Sequence, residues 1–163
     1  MDLNTFARKL AQTSDLHSAA SLNAHALNPE MAFTLLLESG ANVLEIGAPM
    51  SLLDPLKKLG ISPKNESKDL RFGSYPRESW DGIWWEKGNE KYSIDDAHRV
   101  LSLFFQSLKP KSGVLALSFL KDSAKPAFPW KALGLQALLR QSGFTHAQTF
   151  ESHDSFLYLC KRL

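Results

Sequence analysis

A single cysteine, Cys160, is all the chain has of that residue. It excludes an intrachain disulfide and the cysteine-rich zinc patterns, and it fits a reducing compartment. Long apolar runs are missing as well: the longest, near Met31 to Leu37 and Val114 to Leu120, fall far short of a membrane span. The N-terminal MDLNTFARKLAQ carries an acid at position 2 and no unbroken apolar core of a signal peptide, so a cytoplasmic location is the default expectation. Charge of one sign is also lacking. The 19 basic and 17 acidic residues leave +2, too little to argue for nucleic acid or an anionic membrane as a partner. His17, His25, His98, His146 and His153 are scattered without metal-ligand spacing, and neither a Ser-His-Asp set nor a G-x-S-x-G elbow is present. Metal and hydrolase chemistry are therefore poor readings.

What is there reads as one domain. A chain of 163 residues with 44% hydrophobic and 22% charged residues can bury a single sizeable core. Residues 1–40 read as a helical segment, with Leu3, Phe6, Ala7 and Leu10 at helix spacing and a second run opened by Asn28-Pro29 and closed by Gly40. The stretch from Ser14 to Leu27 is open between helix and loop. Residues 41–163 read as an α/β core. Val43-Leu44-Glu45-Ile46-Gly47 has the length and apolar content of a central parallel strand, and Leu52, Leu53, Leu56 and Leu59 then recur at helical spacing before Gly60. ISPKNESK, from Ile61 to Lys68, is polar and reads as a loop where a second strand is expected, so that strand is short or missing.

Asp69 to Phe72 suggests a brief edge strand, and Trp80 to Trp85 a central one. Ser93 with Asp95 and Asp96 caps a long apolar helix ending at Lys109-Pro110. Gly113 to Phe119 is a further buried strand, and Trp130 to Gly143 a last helix with Leu133, Ala137, Leu138 and Leu139 turned inward. Phe144 to Glu151 and Ser155 to Lys161 close the chain as an antiparallel hairpin. Alternating strands and helices predict a three-layer αβα sandwich, Rossmann-like, with a mostly parallel sheet.

VLEIG with its leucine-rich helix, WDGIWW, the capped helix, LKPKSGVLALSF and LLRQSGF before a terminal hairpin, in this order and spacing, resemble the class I S-adenosylmethionine-dependent methyltransferases. The resemblance runs from Asn42 to the C-terminus and implies a seven-stranded sheet whose last strand is antiparallel. It also implies a cofactor site after the first strand, and here the chain departs from the family. Gly47 matches the first glycine, but Pro49 and Ser51 stand where two more are usual, and Pro49 removes an amide donor. The ribose-binding carboxylate at the end of the second strand is replaced by Ser62 or Asn65, and the segment after Trp85 reads Glu86-Lys87-Gly88-Asn89-Glu90-Lys91.

The resemblance assigns any cofactor contact to Glu45, Gly47, Ala48, Pro49, Asp69, Leu70 and Trp85. Glu45 would lie near the amino group of the methionine moiety; the alternative is that it caps the following helix or pairs with a lysine. Asp69 is similar to the acid beside the adenine pocket, with a polar turn residue as the alternative. Asp81 reads as structural. Trp84 and Trp85 read as core residues on opposite faces of their strand rather than as stacking platforms. Lys57, Lys58, Lys64, Lys68 and Arg71 form a candidate basic rim, with solvated lysines as the plainer explanation. The expectation is a methyltransferase-like protein with a degraded S-adenosylmethionine site, acting through an unknown protein partner or as a homodimer. The alternative is an active small methyltransferase with a glycine-poor loop.

Overall fold

A computed structural model describes residues 28–66, 68–89, 91–120, 132–153 and 155–162. The expected helix and loop within residues 1–27, and the start of the last helix at Trp130, lie outside these residues. The described elements follow in the order α1 (Pro29–Leu35), β1 (Val43–Ile46), α2 (Met50–Lys58), β2 (Lys64–Asn65), a 3₁₀ turn (Leu70–Phe72), β3 (Gly82–Trp85), α3 (Ile94–Ser107), β4 (Val114–Leu120), α4 (Ala132–Gln141), β5 (Phe144–Glu151) and β6 (Ser155–Arg162). They carry six strands of the seven the resemblance implies, in the order β2-β1-β3-β4-β6-β5. β2, β1, β3 and β4 are parallel, and β6 runs antiparallel to both its neighbours.

Each central strand buries both faces, which explains why the apolar runs are continuous rather than alternating. Leu44, Ile46, Ile83, Trp85, Leu115 and Leu117 face α3 and α4, while Val43, Trp84, Val114 and Ala116 face α1 and α2. Trp84 meets the Phe33 ring edge-on at 5.2 Å, and Trp85 meets Phe104 at 5.5 Å on the opposite face. The two tryptophans thus anchor the two cores, as the period of two requires. Gly82 is needed where α1 crosses β3, because a Cβ there would sit 2.8 Å from the Phe33 ring.

Helix ends follow the local chemistry. Asn28 accepts from the Met31 amide and Pro29 occupies the first helical position of α1. Ser93 caps α3 by accepting from the Asp96 amide, with Asp95 and Asp96 in its first turn. Asp81 is structural, as expected: its carboxylate accepts from the Asn42 amide at 2.8 Å and pairs with Lys109 at 3.0 Å.

Two readings change. The segment from Asp69 to Phe72 is a 3₁₀ turn instead of an edge strand, because the Asp69 carboxylate accepts from the Arg71 amide and closes the backbone locally. In α4, Leu135 is buried beside Leu138 and Leu139, whereas Ala137 is exposed. The second strand, expected to be short or missing, is the short form, two residues long. No described helix is long and apolar enough to cross a membrane.

Candidate functional site

In an open parallel sheet the crevice for a ligand lies outside the carboxyl ends of the strands. Here that place is made by the turn after β1, the end of β2 and the segment after β3. β1 ends in Gly47 at φ +74°, a left-handed turn that favours glycine, and Pro49 then stands at the N-cap of α2 without any side-chain cap bond. Glu45, 8% exposed, has both carboxylate oxygens engaged. One accepts from the Ala48 amide at 2.9 Å and the other from the Asn65 side chain at 2.6 Å. Of the roles open to it, Glu45 fills one that holds the turn and ties it to β2.

The segment after β3 folds over this turn. The Glu86 and Lys87 amides both donate to the Ile46 carbonyl, and the Trp85 indole donates to the Lys87 carbonyl. Asn89, fully buried, reaches the Ser118 carbonyl of β4. Held this way, the Lys87 side chain lies flat on Gly47: its Cβ, Cγ and Cδ come within 2.6, 2.6 and 2.9 Å of where a Cβ on Gly47 would sit. Burial raises the Glu86 carboxyl above its ordinary range, and the nearby Glu30 carboxylate adds to that shift.

Asp69 and Leu70 are also internally engaged. The Leu70 amide donates to the Tyr92 hydroxyl at 2.9 Å. Arg71 forks onto Asp69 through Nε and Nη2, the latter at 2.7 Å, and reaches Asp96 at the start of α3 with Nη1 at 3.2 Å. The Arg71 hydrogen bond holds the Asp69 carboxyl down at about 2. Trp85 lies wholly in the core. The chain therefore brings Glu45, Gly47, Ala48 and Pro49 together at one turn, places Asp69 and Leu70 in the 3₁₀ turn, and keeps Trp85 beneath the crevice.

Three roles at this site are not assigned by the sequence, although Lys87 belongs to the departing segment after Trp85. Glu66 directly follows β2, where its amide donates to the Glu45 carbonyl, so a carboxylate does stand at the end of the second strand in place of Ser62 or Asn65. An acid at the close of a polar segment was its only signal. Lys87 and Tyr92 act through contacts across the chain and carry no local signature. Among the described residues no group of three or more His, Cys, Asp or Glu is placed to hold a metal.

No family model and no curated protein matches the sequence. Solved structures do match the fold. A TehB-like SAM-dependent methyltransferase from Corynebacterium glutamicum is 16% identical, with 96% of this chain and 97% of that one covered at a TM-score of 0.62. This chain has the class I methyltransferase fold. The Burkholderia thailandensis 1,6-didemethyltoxoflavin-N1-methyltransferase, with bound 1,6-didemethyltoxoflavin and S-adenosylhomocysteine, aligns at a TM-score of 0.65 with 14% identity, over 99% of this chain and 91% of that one. Magnesium protoporphyrin IX methyltransferase from Synechocystis PCC 6803, with bound SAM, is 18% identical at a TM-score of 0.59 and covers 98% of this chain and 83% of its own. Identities this low speak to the class I methyltransferase architecture and leave its chemistry to the site.

Proposed function

We propose that the protein is a class I methyltransferase fold whose cofactor crevice is closed by its own side chains, and that it works as a non-catalytic interaction or regulatory domain with a protein partner or a second copy of itself. One observation carries this reading: Lys87 lies on Gly47, the glycine whose bare face would admit a cofactor backbone-close. The residues present do not fit S-adenosylmethionine in this arrangement. The Leu70 amide is bonded to Tyr92, both oxygens of Glu45 are engaged, and Pro49 has no amide to offer. Leu70 and Glu45 would each have to give up an internal bond before serving a ligand, at roughly 0.5–1.5 kcal/mol apiece.

A second reading, an active small SAM-dependent methyltransferase with a glycine-poor loop, draws on Glu66 at the end of β2 and on the retained left-handed turn at Gly47. Methyl transfer can proceed largely by alignment of donor and acceptor, so the lack of an evident base does not weigh against it. Calorimetric titration with S-adenosylmethionine and S-adenosylhomocysteine separates the two. The expected outcome is no saturable heat in the micromolar range; a micromolar Kd for either compound overturns the first reading and supports the second.

A further inference from the structure

A second concavity lies far from the crevice, at the opposite edge of the sheet. It is a cavity of about 340 Å³ lined by Gln136, Leu139 and Arg140 of α4, Phe144 and Thr145 of β5, and Tyr158 of β6. β5 is four strands from β1 in the sheet, about 19 Å at the usual strand spacing. The register also places Thr145 opposite Lys161, which in turn faces Val114 at the amino end of β4, whereas the crevice lies at the carboxyl ends. The two sites share no residue.

The volume is at the lower end of the range of small-molecule sites. Its walls are packed against neighbouring side chains. Phe144 packs edge-on against Phe105 at 5.5 Å, Tyr158 packs against Phe119 at 5.1 Å, and the Gln136 amide donates to the Tyr158 hydroxyl at 3.2 Å. Leu139 and the Phe144 ring make an apolar surface, both being nearly fully buried. Over it stands Arg140, one helical turn from Gln136 and on the same face. Arg140 takes part in none of the ion pairs among the described residues, whereas Arg71 and Lys109 do. A cationic fork, an amide and two hydroxyls thus line the cavity beside an apolar floor, the amide already bonded to the Tyr158 hydroxyl. A planar anion matches the fork bidentately, and a neutral ligand does not.

We propose that this cavity between α4 and the β5–β6 edge binds a small carboxylate carrying a flat apolar body, the carboxylate on Arg140 and Gln136 and the body against Leu139 and Phe144. A solvated arginine at a helix C-terminus is the plainer account of Arg140 alone. It does not account for the packed cavity next to it.

The test uses benzoate and its neutral isostere benzamide, titrated into the full chain and followed by amide NMR shifts. Benzoate should give saturable shifts confined to residues 135–145 and 157–159, with benzamide binding about tenfold more weakly. Arg140→Gln should bring benzoate down to the level of benzamide. Gln136→Glu, which places an acid in the cavity, should weaken benzoate at least as much, with the unfolding midpoints of both exposed-site variants close to that of the parent. Equal affinity for benzoate and benzamide overturns the proposal. So do shifts centred on Arg71 or Arg99, an unchanged benzoate affinity in Arg140→Gln, or no saturable shift with benzoate in the millimolar range.

Discussion

Glu45 is where sequence, strand geometry and site meet. An acid inside a buried strand is costly unless its oxygens are satisfied, and here Ala48 and Asn65 satisfy both. Glu45→Gln keeps the shape but turns one acceptor into a donor that faces another donor. It should lower stability by about 1–3 kcal/mol, read as a reduced urea midpoint with an unchanged slope. The same substitution in a protein that used Glu45 only for a ligand would leave the midpoint where it was. Asn65→Ala, which removes one of the two donors without creating a clash, should cost less than Glu45→Gln.

Among elements, the 3₁₀ turn and α3 are joined by charge. Arg71 holds Asp69 on one side and Asp96 on the other, and Phe72, 71% exposed, lies under both Arg71 and Arg99 at 5.3 and 6.0 Å. Asp69 titrates at about 2 in the folded chain against an ordinary 3.8. A depressed acid stabilises the fold above its unfolded value, and that contribution fades as pH falls from 3.8 toward 2. The unfolding midpoint should therefore drop across that window, and Asp69→Asn should flatten the drop while leaving the remaining acid dependence in place. High salt should weaken the effect, since both partners are partly exposed.

Elements built on periodicity were legible in the chain: β1, β3, β4 and α3 lie within a few residues of where VLEIG, WDGIWW, GVLALSF and the Ser93 cap put them. The failures have physical causes. Asp-Leu-Arg-Phe has strand-compatible residues, but a side chain that bonds its own backbone two residues on takes it out of the sheet. In α4, Leu138 and Leu139 are buried as expected, but Leu135 takes the inward place given to Ala137, because the leucines at 133, 135, 138 and 139 give more than one apolar stripe. At the site, Glu45 and Gly47 could be found because they lie on one short motif. Lys87 could not, because its place on Gly47 follows from two amides on the Ile46 carbonyl and from Asn89 reaching β4.

At the level of the molecule, two cores share one sheet. Trp84 belongs to the core under α1 and α2, and Trp85 to the one under α3 and α4, both fully buried and adjacent in one strand. Neither core can open without exposing the other tryptophan's backbone neighbours, so the described residues should unfold as a unit. With Trp80 and Trp130 also replaced by Phe, Trp84→Phe and Trp85→Phe each leave one of the pair as the sole reporter. Within each variant, fluorescence and far-UV circular dichroism should trace the same urea transition, although both midpoints fall. A fluorescence change that precedes the loss of helix in one variant alone would show the two faces to be separable.

The position of β6 has a temporal consequence. It lies between β4 and β5, yet it follows both in the chain. During synthesis β5 leaves the ribosome with no strand to pair with, and β4 has only one flank covered by β3. Two open edges, one of them eight residues long, must wait for residues 155–162 before they are joined. Closure of the sheet is thus the last event of its assembly, and the interval before it is when a nascent chain would be most open to pairing with its neighbours on the same message.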